Sequence, residues 1–285
     1  MVGITKEIRL STSNTSPNID TGSIFFIGNA TVLIRYAGFA ILTDPTFIHM
    51  HEKVHLGYGL NTTRLTNPAI SIDELPPLDF VILSHFHGDH FDRIAIDRLD
   101  KSLPIVTTPH ASAELNARGF DRTEKLETWE SISYVKGDVL LNITATPGRH
   151  GPFPISMFMP QVMGSILDFK AKSGRNLFRM YITGDTMVFD GIKGITKRFP
   201  NIDLALLHLG GTTVIGIMVT MDSKEGLEMF KIVNPRKAIP IHYNDYDVFK
   251  SPLEDFQKEI RDSGLEDRIA YLRHGETYTF ETNQS

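Results

Sequence analysis

The sequence contains no cysteine among its 285 residues. This absence excludes disulfide bonds, thiolate metal sites and a cysteine nucleophile. Any metal ion that the chain binds must therefore be held by histidine, aspartate or glutamate side chains.

Long apolar runs and basic clusters are also missing. No apolar stretch approaches the roughly 18 to 20 residues that span a bilayer. The first 20 residues lack the basic start and apolar core of a signal peptide. Because the formal net charge is −5 and no basic run is present, we expect no nucleic-acid partner. These absences predict a cytoplasmic protein without a transmembrane segment.

Strand and helix patterns alternate along the chain. Hydrophobic residues make up 41% and charged residues 22% of the sequence, which is typical of a globular domain. Short β-rich runs cover residues 23–28, 31–36 and 39–43, whereas residues 47–67 are predicted to form a long loop. We predict one α/β domain over residues 21–285, with two mixed sheets packed face to face and helices outside. Residues 1–20 are predicted to be a flexible arm or an irregular edge segment.

A dense group of histidines follows a predicted buried strand at Phe80–Leu83. The sequence there reads Ser-His-Phe-His-Gly-Asp-His, which places His85, His87, Asp89 and His90 within six residues. Imidazole and carboxylate groups suit zinc, and they also suit manganese or iron. The spacing therefore predicts a metal site at the end of this strand.

Three more residues of the same chemical types follow later strands: His150, Asp185 and His242. Each one alone has a plain structural alternative, since a histidine after a strand is often a structural residue and Asp185 could cap a helix. Together with the cluster they supply seven ligands. That number suits two metal ions, each with an open position for water.

The order His-x-His-x-Asp-His, then His150, Asp185 and His242, resembles the metallo-β-lactamase superfamily from about residue 24 to about residue 280. The resemblance implies a four-layer αββα sandwich and two divalent metal ions. Zinc is the expected metal, with manganese or iron as alternatives. It also implies a role for each ligand: His85, His87 and His150 hold the first metal, Asp89, His90 and His242 hold the second, and Asp185 bridges both. A hydroxide between the metals would be the nucleophile, and Asp89 would orient it or carry its proton.

Further motifs resemble one branch of that superfamily. Thr43-Asp44-Pro45, the run from Asp73 to His85, and Thr146-Pro147-Gly148-Arg149-His150-Gly151 are similar to the group with ascorbate-6-phosphate lactonase and N-acyl-phosphatidylethanolamine-hydrolysing phospholipase D. That group often has histidine where this chain has Asn29. The resemblance implies a metal-dependent hydrolase that cleaves an ester-type bond of a small molecule, either a phosphodiester or a lactone.

Four residues have candidate roles beside the ligands. Asp44 is predicted to hold a ligand histidine in one tautomer, with a turn before Pro45 as the alternative. His208 could donate a proton to the substrate or be structural, and Arg149 could bind a phosphate or carboxylate or be a solvated charge. His110 could contact substrate or simply begin a helix.

Two apolar loops and two other functions complete the expectations. Residues 153–160 and 214–219 could form a substrate wall, a lid or a contact in a homo-oligomer, or they could pack on the chain's own core. The alternatives to hydrolysis are an iron-dependent oxidoreductase on the same fold and a non-catalytic binding protein.

Overall fold

The structure, a computed structural model, describes residues 4–11, 17–57, 59–214 and 216–282. Its strands are β1 Ile4–Arg9, β2 Thr21–Gly28, β3 Thr31–Tyr36, β4 Phe39–Thr43, β5 Lys53–His55, β6 Asn61–Thr63, β7 Phe80–Ile82, β8 Ile105–Thr107, β9 Thr123–Lys125, β10 Ser131–Lys136, β11 Val139–Pro147, β12 Met163–Ala171, β13 Asn176–Ile182, β14 Leu204–His208, β15 Thr213–Val214, β16 Ile217–Met218, β17 Lys237–Ile241 and β18 Thr277–Glu281. Its α-helices are α1 Arg93–Arg98, α2 Pro109–Asn116, α3 Lys193–Arg198, α4 Ser223–Val233 and α5 Leu253–Asp262.

Fourteen of these strands form two sheets of seven strands each. Sheet A has the order β1-β10-β11-β12-β13-β14-β17, and sheet B has the order β18-β2-β3-β4-β7-β8-β9. Both sheets are mixed: in sheet A β10 to β13 are antiparallel and β13, β14 and β17 are parallel. In sheet B the parallel part is β4, β7, β8 and β9. The metal-ligand candidates follow the carboxyl ends of four strands: β7, β11, β13 and β17.

The two sheets pack against each other over a buried apolar interior. Side chains of β2, β3, β4 and β7 meet side chains of β10 to β14 and β17 there. Phe80 of sheet B stacks on Tyr134 of sheet A, with ring centroids 4.3 Å apart. Side chains two residues apart lie on the same face of a strand. In β2 this places the fully buried Ile24 and Phe26 on the face toward this interior.

The helices cover the outer faces of both sheets. Apolar residues of α1 and α2 pack on the outer face of sheet B, together with Leu33, Leu42 and Val81. Apolar residues of α3, α4 and α5 pack on the outer face of sheet A, together with Ala205 and Leu207. The predicted four-layer αββα architecture is therefore confirmed.

Several segments differ from the expectations. Part of the expected N-terminal arm, Ile4–Arg9, is an edge strand that pairs in parallel with β10; residues 1–3 and 12–16 of that arm lie outside the described residues. The expected loop at residues 47–67 contains a hairpin of β5 and β6. Strands β10 and β18 were not predicted, because β10 alternates serine with larger residues and β18 contains threonine and glutamate that face solvent.

Within the described ranges, no helix is long and apolar enough to cross a membrane.

The start of α4 provides a test of the fold by pH. Asp222 accepts hydrogen bonds from the backbone N–H groups of Lys224 and Glu225, as an N-cap should. Partial burial of the Glu225 carboxyl raises its pKa from 4.5 to about 7. The folded chain therefore binds more protons than the unfolded chain between these two values, so this residue makes stability fall as pH rises through that window.

We expect the substitution Glu225→Gln to remove this decline, because glutamine does not ionise. The free energy of unfolding is measured with urea at pH 5 and at pH 8. The difference between variant and parent should be more favourable to the variant at pH 8 than at pH 5. Glu228→Gln is the matched control, since Glu228 is an exposed residue of the same helix. An equal effect of the two substitutions would contradict the assignment.

Candidate metal centre

The histidine cluster forms a tight turn directly after β7. The N–H groups of His90 and Phe91 both donate to the carbonyl oxygen of His87, at 3.0 and 2.8 Å. Gly88 lies against the β5–β6 hairpin, where an added Cβ would come within 2.7 Å of the carbonyl oxygen of His55. Glycine is therefore required for this close approach, and the turn directs the ligand side chains toward the same point.

One group of candidate ligands is His85, His87 and His150. One ring nitrogen of each lies within 4.8 Å of those of the other two. His85 Nε2 and His87 Nδ1 are 3.0 Å apart, and His150 joins them from the segment after β11. All three side chains are buried.

The other group is Asp89, His90, Asp185 and His242, again with ligand atoms within 4.8 Å of one another. Asp185 Oδ2 is 3.3 Å from His90 Nε2, and Asp185 Oδ1 is 3.5 Å from His242 Nδ1. Asp89 Oδ2 is 3.6 Å from His242 Nε2. The structure thus brings all seven predicted ligands together in two adjacent buried groups, with His85 and His90 in ring contact at 4.2 Å between centroids.

The Nδ1 atoms of three of these histidines lie within hydrogen-bond distance of protein oxygen atoms. His85 Nδ1 lies 3.1 Å from Ser84 Oγ, His150 Nδ1 lies 3.0 Å from the carbonyl oxygen of Val219, and His242 Nδ1 lies 3.1 Å from the carbonyl oxygen of Leu209. Such contacts fix the tautomer and the ring orientation of a metal-ligating histidine. The nitrogens that remain, the Nε2 atoms, are free to serve as ligands.

The two groups differ in electrostatics. Burial lowers the pKa values of His85, His87 and His150, and that of His87 falls to about 3. Burial also acts to lower the pKa of His90, but three nearby carboxylates outweigh it and raise that pKa well above 6.5. The pKa of Asp185 lies well below its usual range, since His242 and His90 outweigh the effect of burial. The first group thus offers neutral imidazoles, and the second offers carboxylates.

Several buried polar atoms in these groups have no hydrogen-bond partner within the part of the chain that the structure describes: Asp89 Oδ1, His90 Nε2, Asp185 Oδ1 and His242 Nε2. An unpaired buried polar atom costs free energy. Converging carboxylate oxygens and imidazole nitrogens are a fitting donor set for divalent zinc, manganese or iron. The residues present therefore fit a pair of such ions.

Asp44 lies directly behind this centre. Its Oδ2 atom is 3.2 Å from His90 Nδ1 and 3.3 Å from His208 Nε2, and its Oδ1 atom accepts the Ser84 N–H at 2.7 Å. Burial acts to raise its pKa, but His90 and His208 outweigh burial and lower it to about 2. This geometry agrees with the expected role of holding a ligand histidine.

His208 does not lie where a catalytic proton donor would. It is fully buried, and while its Nε2 atom faces Asp44, its Nδ1 atom is 3.2 Å from Thr183 Oγ1. Both ring nitrogens are therefore engaged inside the protein. This differs from the expected catalytic role, because neither nitrogen is left for a substrate; His208 supports Asp44 instead.

Arg149 also differs from its expected role. Its guanidinium lies 4.7 Å from the centre of the Phe189 ring and contacts the carbonyl oxygen of Val188 at 3.4 Å. It points along the outer segment near α4, and the lining of the ligand-side chamber does not include it. His110, in the first turn of α2, is exposed and lines a separate cleft beside His87.

The ligands open onto a small chamber of about 20 Å³, room for about one water molecule. Its apolar lining comes from three segments: Leu56 and Leu60 of the hairpin region, Met159, and Val214 and Val219. Both apolar loops, 153–160 and 214–219, therefore contribute to a pocket wall, apart from Ile215, which lies outside the described residues. Phe153, Met157 and Phe158 of the first loop are exposed.

Sequence patterns do not show the contacts of two further residues of the site, Thr212 and Asn29. Thr212 lines the chamber, and its buried hydroxyl has no partner within the described ranges. Asn29 links two ligand segments. Its side-chain Nδ2 donates to the backbone carbonyl oxygen of Asp89 at 2.5 Å, and its backbone carbonyl oxygen accepts the His242 backbone N–H at 2.8 Å. Asp245 accepts the Asn29 N–H at 2.9 Å and faces the fully buried Arg64.

Comparison with known proteins gives consistent matches. Residues 40–243 match the family described as Beta-lactamase superfamily domain. The chain is 29% identical over 270 residues to a UPF0173 metal-dependent hydrolase of Thermodesulfovibrio yellowstonii, covering 88% of this chain and 96% of the relative. It is 27% identical to N-acyl-phosphatidylethanolamine-hydrolyzing phospholipase D 1 of Caenorhabditis elegans, covering 78% of this chain and 63% of that protein. The crystal structure of an isothiocyanate hydrolase from Delia radicum gut bacteria matches with a TM-score of 0.76 and 22% identity, covering 91% of this chain and 99% of that one.

The contact between Asp44 and His90 leads to a prediction about metal affinity. We expect Asp44→Asn to weaken metal binding at the His90 group by about 10- to 100-fold, because a neutral amide oxygen is a weaker acceptor for the imidazole N–H than a carboxylate. Competition with a chelator, followed by metal analysis, measures this loss. Asp168→Asn is the control, since Asp168 is a buried carboxylate that pairs with Arg179 in sheet A. Unchanged affinity in Asp44→Asn would refute the role.

Proposed function

Since the chain belongs to the beta-lactamase superfamily and is a metal-dependent hydrolase, we propose that it uses two divalent metal ions to cleave an ester-type bond of a small molecule, a phosphodiester or a lactone. One observation carries the proposal: seven His and Asp side chains converge in two adjacent buried groups whose ligand atoms lie within 4.8 Å of one another in each group. Buried polar groups cost free energy unless they have partners, and a bound metal ion would supply them.

His85, His87 and His150 would hold the first ion, and Asp89, His90 and His242 would hold the second. Asp185 would bridge the two; its contacts in the structure are with His90 and His242 of the second group. When bound, such a pair lowers the pKa of water toward roughly 7 and polarises a carbonyl or phosphoryl oxygen.

The chain's own residues have three further tasks in this proposal. Asp89 lines the chamber, and its Oδ1 atom, which has no partner in the described part of the chain, can accept the proton of a water molecule there. The Thr212 hydroxyl can donate to an oxygen of the substrate. The apolar wall of Leu56, Leu60 and Val219 keeps bulk water out, which strengthens these interactions.

The choice of phosphodiester or lactone is supported by the motifs around Asp44 and His150. It is also supported by the similarity to the C. elegans phospholipase D, whose name describes hydrolysis of N-acyl-phosphatidylethanolamine. Zinc is the proposed metal, and manganese or iron would accept the same His and Asp donors.

Removal of metal provides the direct test. We expect stripping with a chelator to abolish hydrolysis of bis(p-nitrophenyl) phosphate or of a γ-lactone, and zinc or manganese to restore it. His87→Ala should lower kcat/KM by at least about 10³-fold, comparable to the loss of one essential catalytic group. Circular dichroism checks that the variant is folded.

His49→Ala is the matched control, because His49 is an exposed histidine of the same chain region. Full activity in folded, metal-free His87→Ala would refute the mechanism. A redox-active iron centre in the optical spectrum, without hydrolysis, would favour the oxidoreductase, and bound metal without any turnover would favour a binding protein.

A further inference from the structure

His87 differs from the other candidate ligands in what lies behind its ring. Its Nδ1 atom faces His85 Nε2 at 3.0 Å, so Nδ1 is the atom on the metal side. Its Nε2 atom is buried and has no hydrogen-bond partner in the described part of the chain. By contrast, His85, His90, His150 and His242 all have a protein oxygen near their Nδ1 atoms. One ligand histidine therefore lacks the acceptor that the others have.

The unpaired nitrogen belongs to a side chain that lines a cleft on the outer side of the ring. A Cβ added to Gly57, which lines this cleft, would lie 3.8 Å from His87 Nε2. The cleft has a volume of about 510 Å³ and is separated from the chamber by the His87 ring and by the hairpin segment 55–57. With Nδ1 on the metal, Nε2 carries the proton, so His87 offers a hydrogen bond into this cleft.

The charges around the cleft favour an anion. Lys53 is exposed, and its ammonium has no ion-pair partner within the described ranges. Arg118 pairs with Glu114 at 2.6 Å, and Arg93 pairs with Glu52 outside the cleft. The remaining carboxylate, Asp92, is occupied by three backbone N–H groups.

Two more features fit the same ligand. His110, in the first turn of α2, adds an exposed imidazole to the cleft wall, and an imidazole N–H can donate a hydrogen bond. The apolar side chains of Phe86, Phe91, Ile96 and Pro160 form another part of the wall. The site therefore combines one buried donor, an uncompensated cation and an apolar surface.

We propose that this cleft binds a small organic anion, a carboxylate or a monophosphate with an apolar group, whose oxygen accepts the hydrogen bond of His87 Nε2–H. The proposal rests on the proposed function in one respect, that His87 binds metal through Nδ1. An anionic acceptor behind a ligand histidine raises its basicity. Binding of the anion and binding of the first metal are then coupled, and each increases the affinity of the other by the same factor.

Isothermal titration of the zinc-loaded protein with hexanoate and with hexyl phosphate tests binding. Hexanol is the uncharged control, and acetate and inorganic phosphate are the controls without an apolar tail. We expect saturable binding of the two tailed anions, weaker binding of the short anions, and none of hexanol. Histidine ¹H–¹³C spectra should show shifts of the His110 and His55 signals, because both residues line the cleft.

Charge reversal of Lys53 locates the binding. We expect Lys53→Glu to weaken binding of hexyl phosphate about tenfold or more through lost attraction and new repulsion. Lys125→Glu, at an exposed lysine of β9 outside the cleft, should change it less than about twofold. Chelator competition then measures zinc affinity with and without the anion, and we expect an increase of about tenfold in the parent protein and a smaller one in Lys53→Glu.

The outcomes separate this proposal from the proposed function. Equal binding by Lys53→Glu and Lys125→Glu, or anion binding that leaves zinc affinity unchanged, would overturn the subsite while leaving metal-dependent hydrolysis intact. Coupled binding of anion and zinc without hydrolysis of any ester would uphold the subsite and overturn the proposed function.

Discussion

The contact of Asp44 with His90 and His208 is the interaction on which the rest of the site depends. Asp44 follows β4 and His90 follows β7, both in sheet B, whereas His208 ends β14 in sheet A. One buried carboxylate therefore contacts residues at the strand ends of both sheets, at the point where the ligands converge. A buried carboxylate is tolerated only with such partners, so the spacing of the sheets and the orientation of His90 are set by the same group.

Three residues with strained backbone lie at the same place. Asn29, Asp44 and His242 have positive φ angles of 52°, 34° and 60°, a region that residues other than glycine seldom adopt. Their neighbours hold them there: Asn29 through Asp89 and His242, and Asp44 through Ser84. Strained residues persist where the surrounding structure fixes them, and they are common at functional sites. The site is thus preorganised by contacts whose free energy comes from the two packed sheets.

The sequence predicts the fold and the seven ligands because both depend on local patterns. The run Phe80–Leu83 identifies β7, and three further ligands follow the ends of β11, β13 and β17: His150, Asp185 and His242. The environment of a side chain depends on distant residues, and no pattern near Arg149 or His208 shows what it contacts. Thr212, Arg64 and the cleft behind His87 were missed for the same reason, since each is defined by segments far apart in the chain.

The segment around Val219 and Thr220 has a mechanical consequence for the whole centre. Its carbonyl oxygen at Val219 accepts from His150 Nδ1 and from the Gly151 N–H, while Thr220 Oγ1 donates to Asp185 at 3.0 Å. The Val219 side chain is at the same time part of the chamber wall. A molecule that pushes on this wall therefore displaces His150 of one ligand group and Asp185 of the other together. The size of the molecule in the chamber and the distance between the two ligand groups are thereby coupled.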